Sequence, residues 1–225
     1  MTASIKDWID ELAQFPLRAP PADCAEVAER ESRRRDALRT FEMALPLKYR
    51  WARLGHPLLA KRAKGMAIPE APPTASSVVF LGRPGAGKTS LAVALLRSLL
   101  ERELAAAESA DDFDGLVRGF RFVHAHRLGV ARIPGSADPD EIRNATNARV
   151  LLLDDLGEDC DVPSNPVPGV IIERHAEERT TWITTSRTPT AIAERYGGGI
   201  ARRVFEHAHR FAETPVRSMA DSERI

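Results

Sequence analysis

The chain has 225 residues, of which 43% are hydrophobic and 28% are charged, a balance typical of soluble globular proteins and not of disordered or collagen-like chains. Its 32 Lys and Arg residues cancel its 32 Asp and Glu residues, and this neutrality taken alone argues against a basic nucleic-acid coat protein. The two cysteines, Cys24 and Cys160, lie far apart, which excludes a disulfide framework and a cysteine-dominated zinc site. Since the sequence contains neither a signal peptide nor an apolar run of ~20 residues, we expect a cytoplasmic protein without a membrane partner.

In chain order, the composition divides the sequence into three parts. Residues 1–64 predict a helical, basic N-terminal region, residues 65–77 a linker rich in Pro, Ala and Ser, and residues 78–225 a core domain. Apolar residues at helical spacing predict a first helix near residues 5–12. The pattern Asp-x-x-Glu that begins at Asp23 predicts the cap of a second helix, which runs to about Ala44.

Residues 30–64 are strongly basic, with eleven Lys and Arg residues against three acids, a net charge of +8. The rest of the chain therefore carries −8, and overall neutrality does not exclude a nucleic-acid partner. The segment also contains Tyr49, Trp51 and His56, which predict single-strand binding through phosphate contacts and base stacking. The alternative interpretation is a solvated helix face whose aromatic side chains pack on the core.

From residue 78 onward, short apolar strands alternate with helices. The strands are predicted at residues 78–81, 120–123, 150–153, 181–185 and 210–213, and the helices at residues 88–104, 139–147, 169–179, 189–196 and 200–208. This alternation predicts an α/β fold, a five-stranded parallel sheet sandwiched by helices. Ligands of such sheets bind at the carboxyl ends of the strands.

The most specific motif is GRPGAGKT at residues 82–89, a complete phosphate loop between an apolar strand and an amphipathic helix. Its glycines let backbone N–H groups turn toward phosphates, Lys88 reaches the β and γ phosphates, and Thr89 offers a hydroxyl to Mg2+. The nucleotide-binding residues predicted here are Gly85, Ala86, Gly87, Lys88, Thr89 and Ser90.

A second motif, VLLLDD at residues 150–155, is a buried strand that ends in two acids. Two adjacent carboxylates at the end of a strand favour a cation site, in which Asp154 lies beside Mg2+ and Asp155 acts as general base toward water. Taken alone, the same residues are also compatible with a capped turn.

Two weaker signals follow along the chain. The predicted strand at residues 181–185 leads into hydroxyl side chains, and Thr185 or Ser186 would face the γ-phosphate if this strand lay between the other two. Hydroxyls in this position are also common helix caps.

Arg202 and Arg203 begin a later helix and could stabilise a transferred phosphoryl group from a neighbouring subunit, although surface arginines are common.

With these residues the chain resembles AAA+ ATPases of the DnaC/IstB class, which comprises helicase loaders and transposition helper ATPases. The matching segments, within residues 78–214, are GRPGAGKTSLA, LLLDDLG, IIERHAEERT before WITTSR, and YGGGIARRVFE. The resemblance implies ATP and Mg2+ as cofactors and a minimal ATPase core without a C-terminal lid. It assigns Asp154 and Asp155 to Walker B and Ser186 to the sensor-1 position, where asparagine or aspartate is usual.

The resemblance also implies a homo-oligomer in which Arg203, or alternatively Arg202, acts in trans as the arginine finger. In this class a helical insert touches single-stranded DNA, and the arginines available for that contact here are Arg127, Arg132 and Arg143.

The segment ALPLKYRWARLGHP at residues 44–57 resembles the stretch that lies near the adenine in helicase loaders. We therefore expect a DnaC-like loader, whose N-terminal helices dock on a replicative hexameric helicase and which delivers it onto single-stranded DNA. One alternative is an IstB-type helper that assembles on DNA and recruits a transposase. Another, motivated by Ser186, is an ATP-gated binding protein that hydrolyses ATP negligibly.

Overall fold

A computed structural model of the chain describes residues 22–63, 65–132, 139–162 and 164–212. The helices are α1 (Ala22–Ala44), α2 (Pro57–Arg62), α3 (Lys88–Ala106), α4 (Phe113–Gly119), α5 (Ala125–Gly129), α6 (Pro139–Asn147), α7 (Val167–Ala176), α8 (Pro189–Tyr196) and α9 (Gly198–Phe205). The strands are β1 (Ser77–Leu81), β2 (Phe120–His124), β3 (Val150–Asp154), β4 (Thr180–Thr185) and β5 (His209–Ala212). Short 3-10 turns occupy Leu47–Tyr49 and Ala110–Asp112.

The five strands form one parallel sheet in the order β2-β3-β4-β1-β5. Strand β4 lies between β1 and β3, so the segments that follow these three strands meet at one edge of the sheet. In register, Leu81 pairs with Thr185 and His124 pairs with Asp154. The predicted α/β class and the five-stranded parallel sheet are confirmed.

Helices cover both faces of the sheet because its central strands β1 and β3 are buried on both sides. In β3 every residue is buried, which is expected of a central parallel strand. Alternate residues belong to two hydrophobic clusters: Leu152 packs with α1 and α3, whereas Leu151 and Leu153 pack with helices that follow β2. Helix α3 contributes a wide buried face that includes Leu91, Leu95, Leu96, Leu99, Leu100 and Leu104.

The N-terminal helix α1 packs directly on the core. Phe41 lies edge-on against Phe120, with ring centroids 6.4 Å apart. Buried Arg97 of α3 hydrogen-bonds Glu42 and, at 3.1 Å, Glu101. The part of the basic segment that lies in α1 is therefore a packed helix.

Several arginines of α1 bind distant groups of the core. Arg30 donates to the carbonyl oxygens of Ala107 and Glu108, and Arg33 pairs with Asp111 at 2.7 Å. Two of the positive charges of the basic segment are therefore occupied by contacts with the core domain.

The predicted elements after residue 78 agree with the structure to within three residues. Helices α2, α4 and α5 were not predicted because each spans two turns or fewer, too short for apolar periodicity to stand out. Residues 65–76 carry no helix or strand, and β1 begins at Ser77, the last residue of the predicted linker. The predicted helix near residues 5–12 and the question of a C-terminal lid lie outside the described residues. In the part of the chain that the structure describes, no helix has the length and apolar character needed to cross a membrane.

Candidate functional site

The phosphate loop joins β1 to α3 and is shaped by two glycines in the left-handed region, Gly85 at φ 81° and Gly87 at φ 87°. Lys88, the first residue of α3, folds back over this loop. Its Nζ donates to the carbonyl oxygens of Gly82, at 2.8 Å, and Arg83, at 3.0 Å. The ammonium group is thereby held at the N-terminus of α3, where a helix favours anions.

Gly87 is also required by a close approach. A Cβ atom at this position would overlap the backbone oxygen of Arg62 and the Cα of Ala63. The end of α2 therefore rests on the phosphate loop. No residue with a side chain fits at position 87 without moving one of the two segments.

The acidic pair lies beside the loop because β3 and β1 flank β4. Asp154 is fully buried, and its Oδ1 accepts hydrogen bonds from the hydroxyls of Thr89 and Thr184, both at 2.7 Å. The Thr184 hydroxyl in turn accepts the backbone N–H of Asp155 at 2.9 Å. The threonine of the phosphate loop and the first acid of β3, predicted from separate motifs, are thus in direct contact.

Asp155 is half-buried and adopts φ 56°, a left-handed conformation that is uncommon outside glycine. Burial, together with the neighbouring charge of Asp154, raises the pKa of its carboxyl above the ordinary value, although Lys88, His124 and Lys48 oppose the rise. A carboxylate with a raised pKa holds a proton more readily, which suits a general base.

The side chains around Asp154 fit Mg2+. Its Oδ2 atom is buried and accepts no hydrogen bond from the described residues, and an unpartnered carboxylate oxygen is a hard ligand of the kind that Mg2+ takes. The Thr89 hydroxyl lies on the other oxygen of the same carboxylate. Thr89 and Asp154 are therefore the residues that would hold the ion.

His124, which belongs to none of the sequence motifs, ends β2 at the same edge of the sheet. Its Nδ1 lies 3.1 Å from Asp154 Oδ2. His124, Asp154 and Asp155 each offer one ligand atom, and these atoms lie within 4.8 Å of one another. A histidine at the end of a predicted strand was visible in the sequence, but only the strand order places it beside β3.

A cavity of about 570 Å3 opens above the phosphate loop. It is lined from the core by Pro84, Gly85, Gly87, Lys88, Thr89, Ser90, Asp155, Glu158 and Ser186, and from the N-terminal region by Lys48, Tyr49, Trp51 and Arg62. Ala86 is buried within the loop. The segment at residues 44–57 thus contributes one wall of this cavity. Glu158 and Arg62 also line it, although neither belongs to a sequence motif.

Thr185 and Ser186, which were alternatives in the sequence, have different surroundings. Thr185 is buried and its hydroxyl donates to the carbonyl oxygen of Leu156 at 2.7 Å, while accepting the N–H of Arg187 at 3.0 Å. Ser186 lines the cavity. Of the two hydroxyls, that of Ser186 is the one available to a ligand there.

Arg203 is not brought to this cavity. It lines a separate cavity of about 540 Å3 with Ser76, Ser77 and Thr181, near the amino ends of β1 and β4, and its Nη1 donates to the Gly199 carbonyl oxygen at 3.0 Å. Within one protomer it therefore lies at the end of the sheet opposite the phosphate loop.

The remaining arginines that the resemblance singled out are mostly paired. Arg202 forms an exposed ion pair with Glu206 at 3.5 Å. Of the three arginines expected to contact DNA, Arg127 pairs with Glu141 at 3.2 Å and Arg143 pairs with Asp140 at 2.7 Å. Arg132 is exposed.

No protein-family model matches the chain, and neither does any curated protein. Among solved structures the chain is similar to the DnaC helicase loader, with 21% identity, 82% of this chain and 90% of that chain covered, and a TM-score of 0.45. It is similar to DnaI, with 16% identity, 90% of each chain covered and a TM-score of 0.47. It is also similar to a putative primosome component from Streptococcus pyogenes serotype M3, with 19% identity, 75% of this chain and 89% of that chain covered, and a TM-score of 0.49.

Proposed function

We propose that the chain is a Mg2+-dependent ATPase of the DnaC-like AAA+ class that binds a replicative DNA helicase and delivers it onto single-stranded DNA. One observation carries the nucleotide part of this proposal. Lys88 and Thr89 of the phosphate loop line one cavity with Asp155, and Thr89 hydrogen-bonds the buried Asp154 at 2.7 Å. This combination suits a nucleoside triphosphate with its metal ion better than any other ligand class.

In this proposal the side chains divide the work of hydrolysis. Lys88 and the N-terminus of α3 would hold the phosphates, and Thr89 with Asp154 would hold Mg2+, which would neutralise charge on the phosphoryl oxygens. Asp155 takes a proton from the attacking water as the bond between the γ-phosphorus and the leaving ADP oxygen breaks. The Ser186 hydroxyl orients that water or the γ-phosphate.

The N-terminal wall of the cavity supports a loader over a transposition helper. Lys48, Tyr49 and Trp51 belong to the segment that resembles the adenine-proximal stretch of helicase loaders, and all three line the cavity. Both aromatic rings have fixed neighbours. Tyr49 packs on Phe122 with ring centroids 5.9 Å apart, and the Trp51 indole donates to the Lys48 carbonyl oxygen at 2.7 Å.

Because Arg203 lies far from the phosphate loop of its own protomer, its proposed role requires a homo-oligomer. Mixing two inactive variants tests this arrangement. Lys88→Ala lacks the nucleotide site but keeps Arg203, and Arg203→Ala has the reverse defect. Mixed oligomers should recover part of the wild-type turnover if the finger acts in trans. Either variant alone should remain inactive. Arg202→Ala is the matched control and should keep turnover on its own.

Co-migration with the host helicase in gel filtration, with and without ATP, tests the loader function. We expect a complex that the wild type forms and that changes with ATP, and a Lys88→Ala complex that does not respond to ATP. Absence of any complex would contradict the proposal. ATP-dependent assembly on duplex DNA in preference to single strands would instead favour the IstB-type helper that recruits a transposase.

Steady-state phosphate release separates an ATPase from an ATP-gated binding protein. Wild-type turnover, measured with and without single-stranded DNA, should exceed that of Lys88→Ala and Asp155→Asn. If all three were equal while the wild type still bound ATP, the hydrolytic part of the proposal would be wrong.

A further inference from the structure

Strand register places an imidazole beside the buried acid of β3. Strands β2 and β3 pair in parallel, and His124 is the register partner of Asp154. Partners in adjacent parallel strands project their side chains to the same face of the sheet. Both strands end at this pair, so the imidazole and the carboxylate lie together at the edge of the sheet.

The hydrogen bonds of Asp154 leave one of its oxygens unused. Oδ1 accepts the two threonine hydroxyls, whereas Oδ2 is buried and has no hydrogen-bond partner among the described residues. His124 Nδ1 lies 3.1 Å away but makes no hydrogen bond of acceptable geometry with it. An unsatisfied buried carboxylate oxygen is costly and calls for a partner, which a cation between the two atoms would supply.

Asp155 completes a three-sided arrangement. The ligand atoms of His124, Asp154 and Asp155 lie within 4.8 Å of one another, a separation that one ion can bridge. Two adjacent carboxylates also concentrate negative charge at this point. The His124 side chain is 33% exposed whereas that of Asp154 is 0% exposed, so an ion from solvent meets the imidazole first.

A nitrogen donor changes which metal such a site favours. Mg2+ prefers oxygen ligands and retains its waters, whereas an imidazole ligand favours a transition-metal ion, and among these Mn2+ is the one that carboxylates suit. We propose that His124, Asp154 and Asp155 form a divalent-cation site in which His124 is a direct ligand, and that this site takes Mn2+ in the absence of nucleotide. The inference goes beyond the proposed function because it concerns the free protein and assigns a role to a residue outside the phosphate-loop and Walker B motifs.

Electron paramagnetic resonance of Mn2+ added to the nucleotide-free protein tests the proposal. We expect the wild type to bind Mn2+ with a 14N coupling, in pulsed measurements, from a directly bound imidazole. His124→Ala should lose that coupling and bind Mn2+ roughly tenfold more weakly or worse, the scale on which metal sites respond to the loss of a supporting group. His124→Gln keeps a polar side chain without the imidazole and should also lose the coupling.

His126→Ala is the matched control, because His126 lies two residues further on and faces Cys160, with 3.6 Å between Nδ1 and Sγ. It should keep both the affinity and the 14N coupling. Circular dichroism checks that each variant is folded, and the Gln variant decides the question if the Ala variant is not. Mn2+ bound by the wild type without a 14N coupling, or with equal affinity in His124→Ala and His124→Gln, would overturn the proposal.

The test is independent of nucleotide binding. Binding of a fluorescent ATP analogue in the presence of a chelator, with Lys88→Ala as reference, examines the proposed function separately. A wild type that fails to bind the analogue but shows the Mn2+ signature would overturn the ATPase proposal and support the metal site. A wild type that binds the analogue but shows no Mn2+ signature would overturn the metal site and support nucleotide binding.

Discussion

Two charged side chains, Asp154 and Arg174, are fully buried at opposite ends of the same sheet. Asp154 ends β3 at the carboxyl edge, beside the phosphate loop. Arg174 belongs to α7 and lies at the amino edge, where its Nε donates to the Thr181 hydroxyl at 2.9 Å. Its two terminal nitrogens donate to the backbone oxygens of Ala145, Thr146 and Ala148, at 2.6–2.9 Å, and of Thr180, at 2.5 Å.

The difference lies in how each charge is compensated. All three nitrogens of Arg174 donate hydrogen bonds, and the carbonyl oxygens at the end of α6 supply the negative end of a helix dipole. Burial, with the nearby charge of Arg179, lowers the pKa of Arg174 to about 10, which still leaves it charged at neutral pH. Asp154 instead has one oxygen that accepts no hydrogen bond from the described residues, although His124 Nδ1 lies 3.1 Å from it, and it has an acidic neighbour. A fully partnered buried charge indicates a structural role, and an incompletely partnered one indicates a ligand.

The largest expected effect is that of Asp155→Asn at the acidic edge, the end of β3 where Asp154 and Asp155 lie. ATP turnover should fall by about 10²- to 10⁴-fold, because the change removes the general base. The free energy of unfolding should rise at neutral pH, since the variant removes a half-buried negative charge next to Asp154 and asparagine tolerates the φ of 56°. Phosphate release and urea unfolding measure the two quantities. Retained turnover, or a clear loss of stability, would contradict the assignment of Asp155.

Arg174→Met should lower stability and leave the nucleotide site intact, the opposite of what we expect for Asp155→Asn. The variant leaves the carbonyl oxygens at the end of α6 and at Thr180 without donors, and we expect a loss of about 3 kcal/mol in the free energy of unfolding. The folded fraction should still bind ATP. Arg143→Ala is the control: its ion pair with Asp140 is 70% exposed on the arginine side, so urea unfolding should change by less than about 0.5 kcal/mol. Equal effects of the two variants would refute the structural role of Arg174.

Contiguous motifs made one part of this site predictable from the sequence. The phosphate loop and the acidic pair each occupy a short stretch next to a strong apolar strand, so residue types and spacing were enough to identify them. The β-α alternation also predicted the sheet. These signals are local, since both the motif and the element that positions it lie within a few residues.

The remaining features depend on contacts between distant segments. His124 meets Asp154 only because β2 lies beside β3, and Arg174 meets the end of α6 only in the folded chain. The charge of the basic segment likewise did not reveal that Arg30 and Arg33 bind groups 77 and 78 residues away, whereas Lys48 lines the cavity. Composition gives the charge of a segment, but strand order and packing decide what that charge contacts.

Asp159 is another buried acid that follows β3, but both of its carboxylate oxygens have partners. It accepts hydrogen bonds from Tyr196 and Asn165 and pairs with Arg195 at 3.7 Å. Burial, together with the bond to Asp159, raises the pKa of the Tyr196 hydroxyl, which therefore stays protonated as a donor. Tyr196→Phe should cost about 1 kcal/mol of stability and change ATP turnover less than about twofold. A large loss of turnover with unchanged stability would show that position along the sheet, not partnering, identifies functional charges.

The smallest expected effect is a pH dependence of stability that arises at Asp155. Because burial and Asp154 raise its pKa in the folded state above the ordinary value of 3.8, the native chain binds this proton more tightly than the unfolded chain does. Stability should therefore fall as pH rises from 3.8 through the raised pKa, and the loss should be complete above it. Urea midpoints of the wild type and Asp155→Asn, measured in chelator across this range, isolate the contribution from that of other acids. The wild-type curve should decline relative to the variant with increasing pH. Parallel curves would show that Asp155 ionises in the folded chain as freely as in water. Its charge would then not lower the free energy of unfolding.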